Sequence, residues 1–163
     1  MNKDKLTYIR NLIFGAEDSL VSTVGLLSGI QIGGVPKSTI ILTGIILILV
    51  EAFSMGVGSY LSEASVNESV KGRKPKTEAT AISAAIMFVS YIISGFAPLG
   101  PYLFFDSGTA FYVSIISSLV GLFLLGILSA KILHTRLLHS AMRMLILGGV
   151  AIFIGAAAGM LLK

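Results

Sequence analysis

The chain consists of five long apolar stretches separated by short polar links. A helix needs roughly 20 mostly apolar residues to cross the hydrocarbon core of a bilayer. Five stretches meet this length, and we predict membrane-spanning helices at 12–31, 38–61, 79–97, 109–130 and 144–162. Gly33, Gly34 and Pro36 should break the chain after the first helix, and Pro98 and Pro101 should end the third. The pattern predicts an all-α integral membrane protein, a five-helix bundle forming one transmembrane domain over residues 1–163.

The composition agrees with a protein folded in lipid. Hydrophobic residues make up 55% of the chain and charged residues only 12%, whereas a soluble domain carries about a quarter charged residues. The absence of cysteine excludes disulfides and thiolate metal sites. The net charge of +4 could suggest nucleic-acid binding, but the bases lie in short links between apolar stretches. We therefore expect membrane lipid as a partner and no nucleic acid.

Lysine and arginine residues predict the orientation of the bundle, because they accumulate in cytosolic loops. The N-terminus, the link between the second and third helices and the link between the fourth and fifth share one side. That side holds ten bases: Lys3, Lys5, Arg10, Lys71, Arg73, Lys74, Lys76, Lys131, Arg136 and Arg143. The opposite side has only Lys37 and Lys163. The N-terminus should be cytosolic, and an odd number of helices then places the C-terminus outside.

Three acidic residues, Glu17, Asp18 and Glu51, lie within the predicted helices, and no base lies beside them there. Ionisable groups are costly in the bilayer and usually mark a transport path or an ion pair. These acids must either stay protonated or be neutralised by a cation. Glu17 is near the interface, where it could instead snorkel to the surface or pair with Arg10. Asp18 or Glu51 alone could also be a protonated structural group.

The depths of the acids favour a cation site. At 1.5 Å per residue, Asp18 lies about 9 Å inside the cytosolic end of the first helix, Met55 about 9 Å inside that of the second, and Glu51 about 15 Å. Glu51 and Met55 are four residues apart and share a helix face. Carboxylates alone suit Mg²⁺ or Ca²⁺, whereas the Met55 thioether shifts the preference toward transition metals such as Fe²⁺. Met55 could also be ordinary packing.

Small and polar residues form a stripe on each of the first three helices, which predicts helix faces that pack against protein. The stripes are Gly15, Asp18, Ser22, Gly25 and Gly29; Gly44, Glu51, Met55, Gly58 and Ser62; and Ser83, Met87, Ser90 and Ser94. Ser22 is a possible accessory residue of the cation site. Glycine pairs at 25 and 29 and at 155 and 159 indicate further close packing between helices.

The remaining candidates are weaker. His134 and His139 are five residues apart, whereas helical metal pairs prefer four, so we interpret them as solvated. Asp106 lies in an outside link and needs no special role. Glu63, Glu68 and Glu78 flank the basic link at 71–76 and are solvated charges by default. Glu63 and Glu68 nevertheless lie at the cytosolic mouth of the proposed site and are possible accessory residues.

Two segments resemble the vacuolar iron transporter family, which handles Fe²⁺ and Mn²⁺. Residues 15–29, GAEDSLVSTVGLLSG, match the family's first-helix pattern Gly-x-x-Asp-(Gly/Ser)-Leu followed by Leu-Ser-Gly. Residues 51–62, EAFSMGVGSYLS, match its second-helix pattern Ser-Met-Gly-x-Gly-x-Tyr-Leu. The five-helix layout with a cytosolic N-terminus also resembles the family. The resemblance covers nearly the whole chain, although the last two helices carry no recognisable motif.

The resemblance implies a homodimer that exports divalent metal from the cytosol in exchange for protons, with Asp18 and Met55 on the metal path. It implies no enzymatic activity and no permanently bound cofactor: Fe²⁺ or Mn²⁺ is the substrate and H⁺ the counter-ion. The chain lacks the glutamate-rich metal-capturing domain that plant and fungal members carry between the second and third helices. The family's further second-helix acid aligns with Leu47, and Glu51, one turn away on the same face, could replace it.

The expected function is therefore a small dimeric Fe²⁺ or Mn²⁺ transporter, coupled to protons, in a prokaryotic plasma membrane. A vacuolar membrane is the alternative location. A non-transporting membrane assembly protein whose acids stay protonated, or an uncoupled cation channel, are the alternative functions.

Overall fold

The protein is a bundle of long helices. A computed structural model describes residues 3–71 and 77–161. These residues form five α-helices and no strand, with α1 at Lys3–Ile32, α2 at Lys37–Lys71, α3 at Thr77–Phe104, α4 at Ser107–Leu133 and α5 at Leu137–Leu161. All five are long and apolar enough to cross a membrane. The predicted all-α membrane fold is confirmed.

Several helices extend beyond the predicted apolar stretches. α1 begins at Lys3 rather than at residue 12, and α2 continues to Lys71 rather than ending at 61. Charged residues such as lysine and glutamate are good helix formers where water solvates them. The hydrophobic pattern therefore marks the part of a helix that lies in lipid, not its ends. Of the predicted basic link at 71–76, residues 72–76 lie outside the described part of the chain, as does Lys163.

The prediction that Pro98 and Pro101 end the third helix was wrong, because α3 runs through both prolines to Phe104. A proline lacks the N–H that would bond the carbonyl four residues earlier, so Pro101 leaves the Ala97 carbonyl without its helical donor. Ser117 of α4 donates its hydroxyl to that carbonyl at 2.9 Å. A membrane helix tolerates proline when a neighbouring helix supplies the missing donor in this way.

The links between helices are short, and nearby groups supply their hydrogen bonds. The break after α1 is confirmed, with Gly34 at φ +80°, a conformation that favours glycine. Asp106, for which we predicted no role, is the N-cap of α4 and accepts a hydrogen bond from the Thr109 N–H at 3.0 Å. That bond lowers the pKa of Asp106 below its ordinary value. The backbone N–H of His134, in the left-handed region at φ 53°, closes the end of α4 on the Ala130 carbonyl.

α1 contacts all four other helices, and its register against α3 repeats every four residues. Asn11 bonds to Ser83, and the Ser19 hydroxyl donates to the Tyr91 carbonyl at 2.6 Å. Between these two bonds, Gly15 faces Met87 so closely that an added Cβ would lie 2.8 Å from the Met87 carbonyl oxygen. The predicted stripe on the third helix therefore faces α1 at these positions.

The two glycine pairs pack against each other within one chain. An added Cβ at Gly29 would lie 2.7 Å from the Gly155 carbonyl oxygen, and one at Gly159 would overlap the Gly29 carbonyl. The added Cβ of Gly155 would likewise overlap the carbonyl of Gly25. α1 and α5 therefore touch backbone to backbone, which only glycine allows. The first-helix stripe faces protein as predicted, and at this end its neighbour is α5.

The outer surface of the bundle is apolar. Phe53 on α2, Ile93 on α3 and Phe153 on α5 are 66%, 67% and 74% exposed. An exposed apolar surface that extends over several helices marks an interaction site in a soluble protein. In a bundle of five spanning helices, lipid tails cover such side chains, which supports the membrane fold.

The glycine contact between α1 and α5 predicts a sharp difference between two substitutions on α5. Gly155→Val should lower the free energy of unfolding by about 1–3 kcal/mol, because the new side chain collides with the α1 backbone. Gly149→Val is the control, because an added Cβ there meets nothing within 4 Å. It should stay within about 0.5 kcal/mol of wild type. Thermal unfolding in one detergent compares them, and equal losses would contradict the contact.

Candidate metal path

Asp18 on α1 and Glu51 on α2 lie at the same height in the bundle. The two helices are antiparallel, and the Asn11 Nδ2 donates a hydrogen bond to the Ser59 Oγ at 2.7 Å. Equal steps forward from Asn11 and backward from Ser59 bring Asp18 beside Ala52, the neighbour of Glu51. The charges of Asp18 and Glu51 interact, and both side chains are half-buried. The sequence put Asp18 level with Met55 and Glu51 about 6 Å deeper; the register in the structure makes Asp18 level with Glu51 instead.

Tyr91 of α3 is the residue at this site that sequence reasoning missed. Its side chain is fully buried, and its hydroxyl lies 2.8 Å from the hydroxyl of Ser22. Ser22 is one turn from Asp18 on the same face of α1, and the Tyr91 hydroxyl interacts with the charges of both Asp18 and Glu51. Tyr91 follows Ser90 of the predicted α3 stripe, but only the register of α1 against α3 shows where it points.

Met55 lies one turn of α2 from Glu51 and lines a cleft of about 650 Å³ between α1, α2 and α3. The cleft lies in the half of the bundle nearer to the basic end, by which we mean the end where α1 begins and α2 ends. Its other lining residues are Arg10, Asn11, Phe14, Ser54, Gly58, Ser59, Ser62 and Met87. The cleft therefore presents two methionines and several neutral oxygen-bearing side chains. Asp18 and Glu51 lie beyond its inner end.

The second-helix stripe faces protein over only part of its length. Gly44 is buried against Leu99, whereas Gly58 and Ser62 are exposed and line the open cleft. Within one protomer, the prediction that this whole stripe packs against protein is therefore wrong for its last two members. Both border the cleft, so no helix of the same protomer covers them.

Glu17 does not pair with Arg10. Arg10 forms an ion pair with Glu63 of α2 at 3.6 Å, whereas Glu17 is attracted to Arg143 of α5. We predicted no base beside the acids inside the spans, because the fifth stretch was placed at 144–162. α5 begins at Leu137, so Arg143 lies within the helix, and its charge interacts with that of Glu17. Of the three acids, Glu17 therefore interacts with a cation of α5, whereas Asp18 interacts with another carboxylate, Glu51.

The other candidates lie near the basic end. Glu63 is 17% exposed and accepts a hydrogen bond from the Ser83 hydroxyl at 2.9 Å, so it is not a freely solvated charge. Glu68 and Glu78 are exposed. His134 and His139 are also exposed, at the end of α4 and the start of α5. Their positions agree with the interpretation of solvated histidines.

The ligand chemistry of one protomer is limited. Among the described residues, no three Asp, Glu or His side chains lie close enough to hold one metal ion. The Asp18 and Glu51 carboxylates, with the hydroxyls of Ser22 and Tyr91 beside them, offer hard oxygen ligands. Met55, one turn away, offers a soft sulfur ligand. The arrangement can bind a cation in steps along α2 rather than in one closed cage.

Comparison with known proteins agrees with the resemblance seen in the sequence. The chain is 25% identical over 203 residues to vacuolar iron transporter 1 of Oryza sativa subsp. japonica, covering 88% of this chain and 81% of the rice protein. The alignment is longer than the 163 residues of this chain. The rice protein therefore contains segments that have no counterpart here.

The VIT family matches most of the length of the chain. Its sequence profile matches residues 9–82 and 66–160. These ranges include all of the residues that make up the cleft and the Asp18–Glu51 pair. They also include most of every described helix. The suspected relationship is thereby confirmed, and the chain belongs to the VIT family.

Proposed function

We propose that this chain is a homodimeric transporter that moves Fe²⁺ or Mn²⁺ out of the cytosol in exchange for protons. Asp18, Glu51 and Met55 lie on its metal path, and Ser22 and Tyr91 position the carboxylates. The whole chain acts as one transmembrane unit. The basic end faces the cytosol, as the distribution of lysine and arginine predicts. We place the protein in a prokaryotic plasma membrane, with a vacuolar membrane as the alternative.

The observation that carries this proposal is the Asp18–Glu51 pair. Two carboxylates whose charges interact repel each other, and the surrounding bundle is apolar. Such a pair persists only if a cation or a proton neutralises it. Metal ligands must be deprotonated to bind, so metal loading releases protons and unloading takes them up. A carboxylate pair at this depth therefore supports metal transport coupled to protons.

The cleft supplies the route from the basic end to this pair. Its neutral oxygen-bearing side chains can replace water around a cation, and Met55 lies between the cleft and Glu51. A thioether favours Fe²⁺ over the harder Mn²⁺. The name of the rice relative, vacuolar iron transporter 1, supports iron as one substrate. Mn²⁺ is included because carboxylate and hydroxyl oxygens bind it well.

A homodimer would complete the ligand set. One protomer offers two carboxylates at the Asp18 layer, and a second copy related by a two-fold axis would bring its own. Gly25 and Gly29 of the first-helix stripe are occupied by α5 within the protomer and cannot form the contact. The exposed Gly58 of α2 and Phe14 of α1, which is 51% exposed, border the open side. We place the dimer contact there, so that α1 contributes its first half.

Asp18→Asn should reduce metal flux to the level of protein-free liposomes and leave expression and oligomeric size unchanged. The amide keeps the size and polarity of the side chain but removes its charge. Fe²⁺ and Mn²⁺ flux into proteoliposomes, with and without a pH gradient, measures this. Glu78→Gln, which changes an exposed acid at the start of α3, is the control and should match wild type. Wild-type flux in Asp18→Asn would show that the Asp18 carboxyl is protonated and structural. Flux that does not depend on the pH gradient would show an uncoupled channel.

Met55→Leu should reduce Fe²⁺ flux more than Mn²⁺ flux at one fixed pH. The substitution conserves volume and should cost less than about 1.5 kcal/mol of stability, so the missing sulfur dominates the result. Met160→Leu on the lipid-facing surface, where Met160 is 66% exposed, is the control. An equal fall for both metals would show that Met55 only shapes the path. If neither the Fe²⁺ nor the Mn²⁺ flux falls, Met55 is only a packing residue.

Gly58→Cys should form a disulfide between two protomers under mild oxidation in lipid. The chain contains no cysteine, so no other thiol competes. Val150→Cys on α5, where Val150 is 49% exposed on the outer surface, should stay uncrosslinked. Native mass measurement in lipid gives the oligomeric state independently. A monomer, or crosslinking at position 150 but not at 58, would contradict the proposed contact.

A further inference from the structure

A polar network joins α1, α2 and α3 at the outer end of the cleft. The Asn11 Nδ2 donates to the Ser59 Oγ at 2.7 Å, to the Ser83 Oγ at 2.6 Å and to the Ser83 carbonyl at 3.2 Å. The Ser83 hydroxyl then donates to the Glu63 carboxylate. Asn11 and Ser83 are buried, at 1% and 0% exposure. These hydrogen bonds join the three helices to one another.

Glu63 is the charged member of this network, and it is unusually placed for a carboxylate. Its side chain is only 17% exposed. It receives one hydroxyl donor, from Ser83, and one cationic neighbour, Arg10. The Arg10–Glu63 distance of 3.6 Å exceeds the roughly 2.7–2.9 Å of a strong charge-assisted hydrogen bond. Arg10 is 70% exposed, so water already solvates much of it. The partner of Glu63 is thus loosely held.

Glu63 is also in line with the metal path. Glu51, Met55, Ser59 and Glu63 follow one another at intervals of four residues, so they form a row that winds about a third of the way around α2. Met55 and Ser59 line the cleft, as does Arg10. The row therefore runs from the intramembrane carboxylate pair, through the cleft, to a second carboxylate about 18 Å away toward the basic end. The ends of this row are anionic, and its middle is neutral.

We propose that Glu63 is the access site for the metal, the first carboxylate that binds a divalent cation from the basic end, and that Arg10 is the exchangeable counter-ion which the cation displaces. The proposal rests on the proposed transport function. A divalent ion carries twice the charge of a guanidinium and can approach the carboxylate more closely, so it competes favourably. A monovalent ion lacks this advantage over Arg10. The ion pair thereby excludes monovalent cations while the site is empty.

The alternative is that the Arg10–Glu63 pair is a structural staple. The Asn11 hydrogen bonds already join the same three helices, so the bundle does not depend on Arg10. The two roles predict opposite effects. Removing a competing counter-ion strengthens metal binding, whereas removing a staple weakens folding and leaves metal affinity unchanged or worse.

The test is a double-mutant cycle read as the Mn²⁺ concentration for half-maximal flux in proteoliposomes. Arg10→Gln should lower that concentration by about fivefold, as expected for a weak ion pair. Glu63→Gln should raise it by about tenfold, with maximal flux changed less than about twofold. In the Glu63→Gln background, Arg10→Gln should have no further effect, because the carboxylate it competes for is gone. Independent or reversed effects of the two substitutions would overturn the proposal.

Two controls separate this effect from general surface charge. Arg136→Gln and Glu78→Gln each remove one exposed charge near the same end of the bundle. Neither should change the half-saturating concentration. If Arg136→Gln acts as strongly as Arg10→Gln, the surface potential explains the result and the displacement mechanism is wrong.

A binding measurement separates this proposal from the transport function itself. Free Mn²⁺ has a strong electron paramagnetic resonance signal that is lost on binding, so equilibrium binding can be counted on purified protein. In an Asp18→Asn background, which should not transport, Glu63→Gln should still weaken Mn²⁺ binding. If Glu63→Gln leaves Mn²⁺ binding unchanged while Asp18→Asn abolishes flux, the access site alone is overturned. Wild-type flux in Asp18→Asn, with binding still dependent on Glu63, would overturn the transport path alone.

Discussion

Polar groups inside a hydrocarbon layer must find partners within the protein, and this constraint organises the bundle. α1 carries the densest set of polar side chains, so it takes the central position and contacts all four other helices. Its asparagine and serines bond to α2 and α3, while the other helices turn apolar faces outward. The carboxylates are where this rule is least fully met. The charges of Asp18 and Glu51 interact, and this incompletely satisfied pair is the centre of the proposed metal path.

The number of helices and their order could be predicted from the sequence because both follow from apolar length alone. The ends of the helices could not, since a helix continues into water as readily as its residues allow. The prolines show a second limit. Pro101 locally predicts the end of a helix. That prediction is wrong because Ser117, sixteen positions later, donates a hydrogen bond to the Ala97 carbonyl that Pro101 leaves without a donor. Such compensation lies between helices and has no signature in the local pattern.

The candidate site divides in the same way. Counting residues along two antiparallel helices joined by a short link put Asp18 level with Met55 and Glu51 about 6 Å deeper, whereas the observed register makes Asp18 level with Glu51. Tyr91, Asn11 and Arg143 were missed because their roles depend on how far one helix slides against another. The small-residue stripes show that helices approach closely, but not which neighbour they meet. For Glu63 the prediction was wrong in another way. Its charge suggested a solvated residue, whereas the fold buries most of its side chain.

The contact between the glycines of α1 and α5 has a consequence for the metal path. With no side chains between the two backbones, the carbonyls of Gly25 and Gly29 fit against Gly155 and Gly159 at one axial offset only. The contact with α5 therefore fixes the axial position of α1 in the bundle. Asp18 lies two turns from Gly25 on the same helix, so its depth depends on the glycine contact between α1 and α5, which lies away from the proposed metal path. A larger residue at Gly155 or Gly159 would separate α5 from α1 and so change the position of Asp18.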